Sequence, residues 1–146
     1  MPNQAQLIED WELLAQFCQA YRNLSDTFMD QITMHRAQAS LLCRLFVQDG
    51  ISQSEIAEQL SVQGATITNM LQRMEETGLV TRRRDPDDNR LVRVYLTDAG
   101  REKEQSIREQ FMKLESTVFE SISETERALL RRILAQMLDN MTEKSA

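Results

Sequence analysis

Apolar positions recur at helical spacing through most of this chain. Leu7, Trp11, Leu14, Cys18, Tyr21 and Phe28 follow one another at intervals of three, four and seven, which predicts one long amphipathic helix ending near Ile32. A second helix is expected from His35 and Arg36, containing Gln38, Leu41, Leu42, Leu45 and Phe46, with Gln48, Asp49 and Gly50 ending it. Ser52-Gln53-Ser54-Glu55 is a capping box in which Ser52 accepts from the Glu55 N–H and the Glu55 carboxylate reaches back. Behind it, Ile56, Ala57 and Leu60 give a short helix one apolar stripe. Ser61 to Gly64 interrupts that helix over the length of a helix-turn-helix connection. The next helix turns Ile67, Met70, Leu71 and Met74 inward and stops at Gly78, a residue suited to the left-handed position past a last turn.

Beyond Gly78 the period changes. Leu79 to Arg84 has strand character, Asp85-Pro86-Asp87-Asp88-Asn89 is rich in turn formers, and Leu91 to Thr97 alternates. Val92, Val94 and Leu96 fall on one face of that second strand, and Arg93 and Tyr95 on the other. A hairpin directly after a helix-turn-helix is a wing, here with Arg90 at its tip. Thr97 then caps a further long helix with the stripe Ile107, Phe111, Leu114, Val118 and Ile122. A second capping box, Ser123-Glu124-Thr125-Glu126, opens a last helix whose wide apolar face runs from Leu129 and Leu130 through Ile133, Leu134, Met137 and Leu138 to Met141.

The outward face of the helix after Gly64 is unusual for a surface helix. Ala65, Thr66, Thr68, Asn69 and Arg73 are mostly small and polar where long Lys and Glu side chains are common. Short side chains let a helix approach base edges, where Thr offers a hydroxyl and a methyl and Asn pairs with adenine. The expected DNA contacts are therefore Gln63, Gly64, Ala65, Thr66, Thr68, Asn69 and Arg73 from this helix, with Arg84 and Arg90 from the wing.

The runs Ser54-Glu55-Ile56-Ala57, Thr66-Ile67-Thr68, Met74-Glu75-Glu76-Thr77-Gly78-Leu79-Val80, Arg84-Asp85-Pro86-Asp87-Asp88-Asn89-Arg90 and Leu96-Thr97-Asp98-Ala99-Gly100 resemble the MarR family. The resemblance covers Met34 to Gly100 by motif and the flanking helices by arrangement. It implies a mainly α fold with a small β-hairpin wing, a winged helix-turn-helix carrying N- and C-terminal dimerisation helices. On that reading residues 1–146 are a single domain, with 34–100 the DNA-binding region and 1–33 and 101–146 the dimerisation helices. The function implied is transcriptional regulation, most often repression, by a homodimer on a pseudo-palindromic double-stranded operator.

Family members commonly bind small aromatic or phenolic molecules between the dimer helices and the winged region, and by placement Tyr21, Arg22 and Phe46 would line such a site. Two positions depart from the family pattern: Asn69 stands where many relatives carry Arg, and Gln72 where an Asp often orients the wing arginine. With Gln72 there, Arg90 is expected to pair with Asp88 at the tip. His35 stands where the family often has a capping Thr.

The net charge of −6 argues against a nucleic-acid partner until its distribution is examined. Val62 to Lys103 holds eight Lys/Arg and seven Asp/Glu, net +1, whereas the rest holds nine and sixteen, net −7. Charges beyond a Debye length of about 8–10 Å are screened at physiological salt, so the local balance governs docking. Hydrophobic content of 41% and charge of 27% are those of a globular protein. No signal peptide or membrane-spanning run is visible, so a cytoplasmic, membrane-free protein is expected.

Candidate chemistry is sparse. His35 is the one histidine, so a His-based metal cluster is excluded, and it suits a helix start or surface. Neither a nucleophile elbow nor a phosphate-binding glycine loop occurs; no catalytic residue, metal or cofactor is expected. Some relatives that sense peroxide use a Cys in the first helix, but Phe17, Gln19 and Tyr21 around Cys18 do not favour a thiolate, so Cys18 and Cys43 are expected to be buried. The competing readings are a winged-helix protein–protein adaptor that does not bind DNA, and a Cys18-based redox-sensing regulator.

Overall fold

The computed structural model describes residues 9–145, the last two by backbone alone. Leu7, placed on the first helical stripe, lies outside them. The chain divides into two compact units, Met1–Met112 and Lys113–Ala146.

In the first unit, α1 (Asp10–Asp30), α2 (Arg36–Val47), α3 (Gln53–Gln59) and α4 (Gly64–Glu76) precede a hairpin of β1 (Val80–Arg84) and β2 (Val92–Leu96), then α5 (Asp98–Glu102) and α6 (Glu104–Val118), which runs on into the second unit. The core joins Leu41, Leu42 and Leu45 of α2, Ile56 of α3, Ile67, Leu71 and Met74 of α4, Val80, Val94 and Leu96 of the hairpin, and Ile107 of α6.

Local chemistry sets the element ends. Ser52 accepts the Glu55 N–H at 3.2 Å, one of the two bonds of the capping box, and its hydroxyl meets that of Ser54; among the described residues the Glu55 carboxylate does not return to the Ser52 N–H. His35 caps α2 by accepting the Ala37 N–H on Nδ1 at 3.2 Å. At the end of α3, Ser61 takes φ 53°, and the N–H groups of Ser61 and Val62 return to Glu58 and Ala57. Gly78 does the same after α4 at φ 78°, with Gly78 and Leu79 bonding back to Glu75 and Met74. Both are Schellman closures, which satisfy the last helical carbonyls and turn the chain sharply.

The hairpin is antiparallel, with Val80 opposite Leu96, Arg82 opposite Val94 and Arg84 opposite Val92. Asp49 anchors its far end: one carboxylate oxygen accepts the Leu96 N–H at 2.8 Å and the other the Arg101 guanidinium at 2.7 Å.

The structure corrects three expectations. The helix after the wing is broken at Lys103, where the Lys103 N–H bonds back only three residues to Gly100. Gly100, a poor helix former, sits just before the break. Ile122 lies past the end of α6, in the turn that follows. Cys18 is exposed rather than buried. It sits on α1, where every residue from 10 to 23 is exposed, Trp11 at 71% and Phe17 at 50% among them. The stripe is genuine, but only its C-terminal end, at Ser25 and Met29, is covered by this chain. Cys43 is half-buried against the core, and burial raises its thiol pKa above the ordinary value while nearby Arg108 and Arg44 oppose the rise.

In the second unit, the predicted Ser123 box is complete: Ser123 N–H donates to Glu126 Oε2 at 2.8 Å and Glu126 N–H to Ser123 Oγ at 3.2 Å. It opens α7 (Glu124–Ser145). Arg127 lies over the Phe119 ring at 4.3 Å and pairs with Glu115. Leu129, Ile133, Leu134 and Leu138 on α7 are exposed. Among the described residues no helix is long and apolar enough to cross a membrane, and no cluster of three or more His, Cys, Asp or Glu is arranged to hold a metal.

Candidate nucleic-acid interface

α4 presents Gln63 at its N-cap and then Gly64, Ala65, Thr66, Thr68, Asn69 and Arg73, all exposed, on the side opposite Ile67, Leu71 and Met74. Gly64 has no heavy atom within 4 Å of where a Cβ would stand, so the first turn of this helix is open to a large partner. Thr68 on this face is tied to another helix: Gln53 Nε2 of α3 donates to its hydroxyl at 2.7 Å. Gln72 donates to Glu76 one turn on, at 3.3 Å.

The arginines of the hairpin divide by strand parity. Arg82 faces α4, where its backbone N–H and its guanidinium both reach Glu75, at 2.9 and 3.2 Å. The Arg82 N–H, more than its side chain, holds the Glu75 carboxyl below its ordinary pKa. Arg83 lies 5.2 Å from the Tyr95 ring centre on the opposite face. Arg84 spans the hairpin, with Nη1 donating to the Asn89 carbonyl at 2.8 Å. Arg93 is drawn inward, to Asp85 at 2.5 Å and to the Gly50 carbonyl at 3.0 Å.

Arg90 projects at the tip with its side chain 89% exposed. Its Nε and Nη2 donate to the two oxygens of Asp88, both at 3.0 Å, and its backbone N–H reaches Asp88 at 3.1 Å. The pairing expected from the Gln72 substitution is present. Two of the five guanidinium N–H donors are engaged, leaving three directed at solvent. Arg90 can thus keep Asp88 and still meet an acceptor outside.

The wing's carboxylates carry a pH dependence. The Arg93 guanidinium, helped by the Asp87 and Asp88 N–H groups, holds Asp85 below its ordinary pKa, and Arg90 does the same for Asp88. A depressed carboxyl stabilises the fold above its unfolded value and ceases to do so as pH falls through the lowered one. The wing tip should therefore keep its form on acidification to 3.8, the ordinary Asp value, and loosen only below it. Amide chemical shifts of residues 85–90 followed against pH test this. A midpoint at or above 3.8 would contradict it.

Two cavities flank α4. One of about 280 Å³ lies between α3, α4 and the wing, bounded by Gln53, Thr68, Arg90 and Val92. The other, about 410 Å³, lies between α4 and the start of α2, where Thr66, Asn69 and Arg73 face His35 and Gln38. No periodic signal in the sequence links Gln53, His35 or Gln38 to α4, so their place at this face is not legible there. Tyr21, Arg22 and Phe46 line neither cavity. Tyr21 stacks on Phe17 along α1 with ring centres 6.2 Å apart, Arg22 is exposed, and Phe46 packs partly into the core.

A short helix, a tight turn, a second helix with a polar outer face and an antiparallel hairpin ending in an exposed arginine define a winged helix-turn-helix DNA-binding protein. The model of the MarR family matches residues 34–92. Over 138 residues the chain is 32% identical to the uncharacterized HTH-type transcriptional regulator YdgJ of Bacillus subtilis, covering 94% of this chain and 84% of that protein. It belongs to the MarR family of transcriptional regulators. Among solved structures it is similar to MepR of S. aureus in a DNA complex, with TM-score 0.83 and 26% identity over 91% of this chain and 98% of that one. The fold also matches the transcriptional regulator SlyA, with TM-score 0.84 and 24% identity over 94% of this chain and 96% of that one.

Proposed function

We propose that this regulator is a repressor that binds a pseudo-palindromic operator as a homodimer, α4 entering the major groove and Arg90 the adjacent minor groove. The observation that carries the reading is the joint exposure of Thr66, Thr68, Asn69 and Arg73 on α4 and of Arg90 on the wing. Short polar side chains suit the major groove, which distinguishes all four base pairs, while a single protruding cation suits the narrower one. The DNA-bound state of MepR, similar along 91% of this chain, supports the same use of the fold. Repression follows from occupancy, because a dimer seated on a promoter excludes other proteins from it.

Residues 34–100 are the reading part on this proposal, and residues 1–33 and 101–146 the dimerisation part. Apolar side chains left exposed on α1, at Trp11, Leu14 and Phe17, and on α7, at Leu129, Ile133 and Leu138, support it. Exposed apolar patches of this kind mark association surfaces, and two-fold dimers are the commonest solution. Light scattering at micromolar concentration should return twice the chain mass. Footprinting on DNA from the protein's own promoter region should show two half-sites about 10 bp apart, one helical turn. A monomer mass or a single asymmetric footprint would refute the dimer; no shift of that DNA would put the adaptor reading in its place.

Release by a small aromatic or phenolic ligand completes the proposal, with Tyr21, Arg22 and Phe46 as its contacts. The stacked Phe17–Tyr21 pair beside Arg22 offers aromatic surface and a cation together.

A further inference from the structure

The hydroxyl of Thr68 has one proton and two hydrogen-bonding neighbours inside the protein. It lies 2.9 Å from the Gly64 carbonyl, which only accepts, so the Thr68 proton goes there. Gln53 must then be the donor in the second bond, and its Nε2 sits 2.7 Å from the same oxygen. With the proton and one lone pair committed, the oxygen offers a newcomer a single lone pair. Thr68 is nevertheless exposed, on the wall of the open cleft between α3, α4 and the wing. Whatever meets this hydroxyl from outside has to donate.

Base edges differ in this respect. In the major groove adenine N6 and cytosine N4 are donors, whereas guanine shows O6 and N7, both acceptors. An unrestrained threonine would adapt by turning about χ1 and donating to guanine. Here a side chain from a different helix, 15 residues away in sequence, holds it. Its methyl group, fixed at the same time, suits the C5-methyl of a thymine paired with or next to such a donor base.

We infer that Gln53 is a positioning residue for sequence recognition: it fixes Thr68 as an acceptor with a methyl beside it, so the base facing Thr68 carries an amino group on its major-groove edge, adenine N6 or cytosine N4, and guanine is rejected. This rests on the reading that α4 enters the major groove. It adds a residue of α3, outside α4 and the wing, to those that set the operator sequence.

The test is competition binding with promoter-region DNA carrying each of the four bases in turn at every operator position. Wild type, Gln53→Ala, Thr68→Val and the double variant are compared. Wild type should show a symmetry-related position at which guanine weakens binding about tenfold, within the usual cost of a mismatched base pair. Gln53→Ala and Thr68→Val should each shrink that penalty to about twofold at that position alone. In the Thr68→Val background, Gln53→Ala should change it no further, a result that a general structural role for Gln53 would not produce. Gln53 is only partly buried, so thermal midpoints should stay within those of wild type. If wild type discriminates between bases but Gln53→Ala keeps every penalty, or lowers all of them evenly, the inference is overturned while the DNA reading stands. If wild type binds no DNA, or all sequences equally, both are overturned.

Discussion

Gly100→Ala is expected to destabilise the protein by about 3 kcal/mol, the upper end of what overpacking costs. Gly100 lies inside α5, where alanine should otherwise gain about 1 kcal/mol in helix propensity. The surroundings reverse the sign. A Cβ at Gly100 would stand 2.2 Å from the Leu79 carbonyl oxygen, a backbone atom that cannot swing aside. That carbonyl is fixed from the other side, accepting the Thr97 N–H at 3.1 Å, while the Thr97 hydroxyl donates to Gly78 at 2.5 Å. Making room would strip α5 of its cap and pull β1 from the end of α4. Thermal unfolding should report a midpoint lower by roughly 10 °C, taking 2–4 °C per kcal/mol for a domain of this size. Gly64→Ala is the matched comparison: with nothing within 4 Å, it should leave the midpoint unchanged or raise it. Equal midpoints for Gly100→Ala and wild type would show that the Leu79–Gly100 approach is not a constraint in solution.

Arg90→Ala and Asn69→Ala should weaken DNA binding in different ways. Asn69 lies on the exposed face of α4 and can pair with adenine. Its loss should cost about 1–3 kcal/mol on operator DNA and relax preference at one position. Arg90 contributes charge. Its removal should weaken binding to operator and scrambled DNA alike and lower the salt slope by about 1. Because Asp88 neutralises Arg90 within the free wing, Asp88→Asn should act oppositely, raising affinity for scrambled DNA. Affinities of these variants at several salt concentrations decide the matter. An unchanged slope and affinity for a folded Arg90→Ala protein would mean that the hairpin does not touch DNA.

Much of this protein is set by residues close together in sequence. Capping serines at 52 and 123, the turn at Ser61, the stop at Gly78 and the change of period after it place most of the helices and the hairpin. Helix periodicity likewise decides that Thr66, Thr68 and Asn69 point outward while Ile67, Leu71 and Met74 point in. Even the Arg90–Asp88 pair is legible, since its partners are two residues apart.

What the tertiary structure decided depends on groups far apart along the chain, whose meeting no local pattern encodes. Arg82 reads as one of three equivalent arginines until Glu75 fixes it against α4. Gln53 reads as filler in a capping box until α3 brings it to Thr68. Gly100 reads as a weak helix residue until Leu79 occupies the place of its side chain. Periodicity also shows that α1 has an apolar stripe, but not what covers it. Burial depends on which surface arrives, and within this chain only the end of α1 near Ser25 and Met29 is met, which leaves Cys18 exposed.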